Sequence, residues 1–222
     1  MGIAPSVAGA QGMFMRLQHA LQKAWGRQVL LSTAVQDELS AWRQLVQELA
    51  ARLTHLQNMD PFHLTWEGST DASVSGMSGV CQDPEGQWFI WRHPFYVATQ
   101  ARLVTDTNHT GDVTTNDLEL AALLAQVQLF APNMETLSHI RTDVNNTEVK
   151  GWSNRGIVSS VTSVGPILRD LAFLTRTHKI YSSLKCITGT DNKMADADSR
   201  LTHLTDKMFL CQSDLTFPQK KP

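Results

Sequence analysis

Residues 114–130 read TTNDLELAALLAQVQLF. Leu118, Leu120, Leu123, Leu124, Val127 and Phe130, with alanines between them, make this stretch apolar on most of its circumference, as expected of a helix inside a core. Thr115 or Asn116 is placed to cap its start, and Pro132 closes it. Glu119 stands in the first turns of that oily helix. A buried carboxylate is costly unless other groups come to meet it, so the rest of the chain has to be searched for them.

Upstream, from residue 63, the texture is that of strands. HLTWEGSTDAS leads into VSGMSGVCQ, then the tetrad DPEG at 83–86, then QWFIWRH. Pro in the second and Gly in the fourth position of the tetrad favour a type I turn, so strands near 77–82 and 87–92 form a hairpin. A looser strand is expected at ARLVT (101–105), followed by a turn at NHTGD (108–112). Downstream, LSHIRTDV (137–144) reads as a strand, with a helix starting near Thr147. VGPILRDLAFLTRTH (164–178) reads as an amphipathic helix, KIYSSLKCITG (179–189) as a strand, and NKMADADSRL opens a last helix after Asp191. Strand meander, helix, strand, two helices, strand and helix fit an α/β fold, a mixed sheet with helices packed on its faces.

A helix is also predicted over 34–57. Thr33 and Gln36 have the spacing of a capping box, and Val35, Leu39, Trp42, Leu45, Val46, Leu49, Leu53 and Leu56 recur at helical spacing. Pro61 in NMDPF ends it. The chain therefore divides into a helical segment (1–60, with a further helical stretch in MFMRLQHALQKAW), an α/β domain (61–205) and a C-terminal tail (206–222).

Composition excludes several classes. The 222 residues are 42% hydrophobic and 18% charged, with a net charge of −2, so the chain is not a polycation. Cys81, Cys186 and Cys211 are too scattered for a disulfide framework or a zinc site, which suits a reducing compartment. No apolar run reaches the roughly 18 residues that cross a bilayer, and the N-terminus lacks a secretion signal. The expectation is an intracellular protein of the cytoplasm or nucleus with no membrane partner.

Asp71 ends the first predicted strand, Glu119 lies one turn into the helix, Asp143 and Asn145 close the next strand, and Asp196 begins the final helix. Each alone is readily explained as a surface charge. Together they fall at strand ends and helix starts, which converge at one rim of an open sheet. Carboxylates gathered there repel one another unless cations neutralise them, and hard oxygen donors suit Mg2+ or Mn2+. Two such ions about 4 Å apart can activate water and stabilise a leaving oxygen in phosphodiester cleavage.

TTNDLELAA resembles the helix motif of ribonucleases H, and TDASVSGMSGV their first-strand motif. GTDNKMADADSRL resembles the closing motif of retroelement ribonuclease H domains, with Asn followed by Ala-Asp and then Ser-Arg. With LSTAVQDELSAWRQLVQELAARLTHL before and ADSRLTHLTD after, the chain looks most like polyproteins of DIRS-like retrotransposons, the tyrosine-recombinase type, over roughly residues 28 to 218. The resemblance implies a ribonuclease H-like fold, a mixed five-stranded sheet with helices on both faces, and hydrolysis of the RNA strand of RNA–DNA hybrids with two Mg2+ or Mn2+ ions. It assigns Asp71, Glu119 and Asp196 to three of four metal-binding carboxylates. For the fourth, counting back seven positions from Trp152 selects Asn145, whereas RTDV, resembling the Thr-Asp of bacterial ribonucleases H, selects Asp143. The Trp152 register is preferred, with Asp143 as a possible substitute. An Asn keeps an oxygen donor but loses the charge and bridging capacity of a carboxylate. A catalytically silent nucleic-acid-binding remnant of the same fold is the alternative. So is an unrelated α/β interaction module, which would need the carboxylates to point apart.

No Asp-Asp pair occurs, so the usual polymerase signature has no place in the chain. The 34–57 helix resembles the segment after the polymerase domain in such polyproteins. A fragment beginning after that domain is expected, with a reverse transcriptase polymerase domain as a possible partner. Between Val149 and Thr190 lie Lys150, Arg155, Arg169, Arg176, Lys179 and Lys185, with Asp170 the sole acid. Such a stretch beside an acidic cluster suits docking of a phosphate backbone, or is a solvated basic face. Trp88, Trp91 and Trp152 are better placed for core packing than for stacking on bases.

Overall fold

The computed structural model describes residues 15–24, 30–51, 66–155 and 164–205, with positions 28 and 208. Side-chain alternation along three short strands sets up the sheet. β1 (Trp66–Ala72), β2 (Gly76–Gln82) and β3 (Trp88–Pro94) form an antiparallel meander, with Asp71 opposite Ser78 and Gly79 opposite Trp91. The DPEG tetrad makes the expected turn. Gly86 N donates to Asp83 O at 3.1 Å, Gln87 N donates to Asp83 Oδ1 at 2.7 Å, and the φ of +89° at Gly86 is one that glycine adopts without strain.

Two further strands add on the other side of β1. β4 (His139–Val144) runs parallel to β1, and β5 (Tyr181–Cys186) parallel to β4, giving the order β3-β2-β1-β4-β5. The helices are α1 (Met15–Ala24), α2 (Thr33–Ala51), α3 (Val97–Gln100), α4 (Thr115–Phe130), α5 (Thr147–Arg155), α6 (Val164–His178) and α7 (Lys193–Arg200). The mixed five-stranded sheet and the N-terminal helical segment are those expected from the sequence.

Opposite strand faces receive different helices. Leu120, Leu123, Val127 and Phe130 of α4 and Leu168 and Leu171 of α6 join Trp66, Cys81, Ile140, Val144 and Leu184 in one core. On the other face, Ser78 Oγ donates to Ala195 O of α7 at 2.7 Å, and Arg92 donates to Leu201 O and Leu204 O. One polar residue is built into the first core. Gln126, fully buried on α4, accepts from Trp91 Nε1 and donates to Thr142 Oγ1, both at 3.1 Å. Gly68 and Gly79 leave the room for it: a Cβ on Gly68 would meet Gln126 Nε2 at 2.9 Å and one on Gly79 would meet Oε1 at 2.5 Å.

Three expectations change in detail. The stretch 101–105 is not a strand. It follows the short α3 and carries only isolated bridges, Leu103 to Val113 and Thr105 to Asn108. Its backbone is satisfied locally instead: Asn108 Nδ2 donates to Ala101 O and Leu103 O, and a two-bond Arg102–Asp112 ion pair closes the loop. The cap of α4 is Thr114, whose side chain accepts from Asp117 N while Asp117 accepts from Thr114 N. At α2, Thr33 is already helical, Ser32 O accepts from Val35 N and Gln36 N, and Gln36 Nε2 donates to Leu31 O. The predicted helix residues 52–57, the boundary at 58–62 and most of the tail lie outside the described residues. Among the described residues, no helix is long and apolar enough to cross a membrane.

Replacing Gln126 by Ala would leave the Trp91 indole N–H and the Thr142 hydroxyl without partners beside a new void. The expected loss is about 2–4 kcal/mol, read as a lower urea midpoint with an unchanged slope. A change below about 0.5 kcal/mol would show that the bridge contributes nothing.

Candidate functional site

Parallel pairing of β1 and β4 brings two strand ends to one rim. Ser69 pairs with Asp143, so Asp71 and Asn145 each lie two residues further along. They meet there: Asn145 Nδ2 donates to Asp71 Oδ1 at 3.1 Å. Helix α4 starts at the same rim and carries Glu119, whose carboxylate accepts the backbone N–H of Ala72, the last residue of β1. Helix α7 closes over Asp71 from the other face. Ser199 Oγ donates to Asp71 Oδ2 at 3.0 Å, and Asn192 Nδ2 donates to Thr70 O at 3.0 Å and lies 3.5 Å from Asp71 Oδ1. Asp196, on the first turn of α7, is paired with Arg200 at 2.6 Å.

Burial makes Asp71 and Glu119 reluctant to ionise. Asp71 is 2% exposed and Glu119 is 4% exposed. Burial is the main cause that pushes Asp71 from its ordinary 3.8 up to about 6. The Asp196 charge adds to the rise, and the Ser199 and Asn145 hydrogen bonds and the Arg200 charge oppose it. Glu119 is pushed from 4.5 up to about 8, first by burial and then by the charges of Asp71 and Asp196, against the Ala72 N–H. Thus the three residues converge closely enough to act on one another. Glu119 Oε2 is buried with no hydrogen-bond partner.

Asp143 lies two residues before Asn145, on β4, and its buried Oδ1, like Glu119 Oε2, has no hydrogen-bond partner among the described residues. Its Oδ1 lies 3.6 Å from Arg141 Nε, and burial raises its pKa against the charges of Arg141 and Lys185, with Glu67 adding a small rise. Neither Asp71 nor Glu119 is among the groups that shift it. The basic stretch is not one surface either. Lys150 sits on α5, near the carboxylate rim where β4 ends. Arg169 lies 3.8 Å from Asp170 on α6. Arg176 and Lys179 stand at the opposite rim, because α6 runs back to the start of β5, where Leu137 N donates to Lys179 O. The side chain of Arg155 lies outside the described residues. Trp91 and Trp152 pack against the main core.

Sequence reasoning did not assign roles to Asn192, Ser199 and Arg200, although all three belong to the GTDNKMADADSRL motif. It also missed the strut that joins α4 to α5. Asn146 caps α5 by accepting from Glu148 N and Val149 N and donates to Asn116 Oδ1 at 2.6 Å, while Asn116 Nδ2 donates to the Glu148 carboxylate. Glu119 and Asn145 are therefore held in fixed relation by their neighbours in sequence.

No protein-family profile matches the chain, and no curated protein sequence matches it. Similar solved structures include ribonuclease H1 from the halophilic archaeon Halobacterium salinarum NRC-1, at 15% identity and a TM-score of 0.42, covering 62% of this chain and 96% of that one. Another is LC11-ribonuclease H1 in complex with an RNA/DNA hybrid, at 16% identity and a TM-score of 0.47, covering 65% of this chain and 99% of that one. The architecture itself, a sheet ordered β3-β2-β1-β4-β5 with helices on both faces, is ribonuclease H-like.

Among the described residues, no three His, Cys, Asp or Glu side chains enclose one metal position. Asp196 is paired with Arg200, and Asn145 presents an amide, not a carboxylate, to Asp71. The remaining donors still have the chemistry of a hard-cation site: buried carboxylates of like charge, and an orphaned Glu119 oxygen. Asp71 and Glu119 fit one such ion. A second ion is poorly served, because Asp71 Oδ1 already accepts from Asn145 and Oδ2 from Ser199.

Both raised values have the same sign, so the folded protein keeps protons that the unfolded chain releases at lower pH. The stability these groups contribute is present below pH 3.8–4.5 and is lost as pH rises toward about 6 for Asp71 and about 8 for Glu119. Buried Asp198, raised to about 6, acts in the same direction. In chelator, the melting temperature should fall between about pH 5 and pH 8, and Glu119→Gln should flatten the part above about pH 6. A Glu119→Gln curve parallel to that of the natural chain would contradict the assignment.

Proposed function

We propose that this chain is a ribonuclease H-type domain of retroelement descent that binds RNA–DNA hybrids and whose hydrolytic capacity is curtailed by Asn145. What supports this reading is the burial of Asp71 and Glu119 at one rim, where the Asp196 charge acts on both and Asn145 donates to Asp71. An unrelated interaction module would have no reason to gather buried like charges there.

Within this reading, residues 61–205 are the nuclease-like domain, and 1–60 the helical segment that follows a polymerase domain in a longer polyprotein. Asp71 and Glu119 would hold a Mg2+ or Mn2+ ion, with Asp196 joining on release from Arg200. Such an ion supplies an activated water and charge neutralisation at the scissile phosphate. The chain's own residues do the positioning: Ser199 and Asn192 orient Asp71, the Ala72 N–H orients Glu119, and the Asn116–Asn146–Glu148 strut fixes α4 against the end of β4. Lys150, near the start of α5, and Lys185, beside Asp143 near the end of β5, are placed to meet a phosphate near the rim. Arg176 and Lys179 would reach only a duplex that extends across to the far side of the sheet. Asp143, tied to Arg141, is not expected to replace the missing carboxylate.

Cleavage of a labelled RNA–DNA hybrid in Mg2+ or Mn2+ tests this directly. The natural chain should cleave little, and Asn145→Asp should raise the rate at least about tenfold. Losing an outer-sphere partner of a metal site already costs on the order of 10–100-fold, and a direct ligand should matter no less. Efficient cleavage by the natural chain, abolished by Asp143→Ala, would assign the fourth position to Asp143 and overturn the account of Asn145.

A further inference from the structure

Along the rim that carries Asp71 runs a ridge of exposed apolar side chains that the proposed chemistry does not use. Tyr96 is 75% exposed, Val97 is 81% exposed and Val74 is 60% exposed. The His93 ring stands edge-on to Tyr96 with centroids 6.1 Å apart. The ridge is tied to the carboxylate rim by hydrogen bonds. Phe95 N donates to Ser75 O at 3.0 Å, the Ser73 and Ser75 hydroxyls donate to Ser199 O at 2.8 and 3.2 Å, and Ser199 donates to Asp71.

This presentation is built into the backbone. Phe95 packs inward against the second core of Ala72, Leu103, Val113, Leu118 and Ala122, while the next two residues face water. Tyr96 O accepts from Thr99 N and Gln100 N, Gln100 Nε2 donates to Phe95 O, and the Arg102–Asp112 pair holds the segment that follows. An exposed apolar patch beside a site is where a binding partner is expected to sit. Residues 86–105 carry no Asp or Glu; Arg102 there is paired with Asp112 and Arg92 donates to Leu201 O and Leu204 O, so the basic group beside the Tyr96 ring is exposed His93, which can meet a phosphodiester strand.

We infer that Tyr96, supported by His93, Val97 and Val74, is a stacking platform for a nucleobase of the strand lying over the carboxylate rim. The inference rests on the nucleic-acid-binding reading proposed above. Stacking a base on an aromatic ring is tolerant of sequence and does not depend on counterion release, which sets it apart from lysine or arginine contacts.

The test is equilibrium binding of a fluorescently labelled RNA–DNA hybrid in Mg2+ by the full chain, by Tyr96→Ala and by Tyr96→Phe, at several salt concentrations. Tyr96→Ala should weaken binding about fivefold or more, with the salt slope unchanged and Tyr96→Phe close to the natural chain. Equal affinity for the natural chain and Tyr96→Ala would overturn the platform and leave the site reading standing. No binding by the natural chain would overturn the site reading and the platform with it. Sedimentation velocity on the same proteins covers the other occupant: a natural-chain dimer lost in Tyr96→Ala, with hybrid affinity unchanged, would assign the ridge to a second copy and overturn the inference.

Discussion

Two carboxylates of like charge, Asp71 and Glu119, are buried side by side at the end of a β-strand, and the local structure is organised around that conflict. Burial and mutual repulsion both favour their protonated forms. Among the described residues, neutral donors oppose this: Ser199, Asn145 and Asn192 around Asp71, and the Ala72 N–H on Glu119. Arg200, whose charge also acts on Asp71, is bonded to Asp196. Among the described residues, Glu119 Oε2 is left without a hydrogen-bond partner at this site.

Much of the fold was readable because it rests on periodicity and turn chemistry. The DPEG turn, the apolar circumference of α4 and the alternation of strands and helices after residue 136 all have local causes. Where expectation slipped, the deciding contact was non-local or a residue away. Thr114 rather than Thr115 caps α4 because the capping box needs a carboxylate three positions on, and Asp117 supplies it. The 101–105 stretch has strand-like residues, but Asn108 and the Arg102–Asp112 pair satisfy its backbone within the loop, so no ladder forms.

The site divides along the same line. Asp71, Glu119, Asn145 and Asp196 could be singled out because strand ends and helix starts converge at one rim. The hydrogen bonds from Ser199 and Asn192 could not, since they depend on how α7 lies across β1. The basic stretch shows the opposite error, in which closeness in sequence was taken for closeness in space. A helix followed by a parallel strand must return to the far rim before the strand can begin, so Arg176 and Lys179 end up there while Lys150 stays near the carboxylates.

In the reading proposed above, Asn145 takes the place of a fourth carboxylate at this rim. Its amide donates to Asp71, so it relieves part of the charge that a carboxylate at the same place would have increased. On that reading the rim would persist without metal more readily and hold two ions less readily. The most direct test of this account is anomalous diffraction from crystals soaked in Mn2+. The account predicts a single peak in contact with Asp71 and Glu119. A pair of peaks bridged by Asp71, or a peak at Asp143 with none at Glu119, would contradict it.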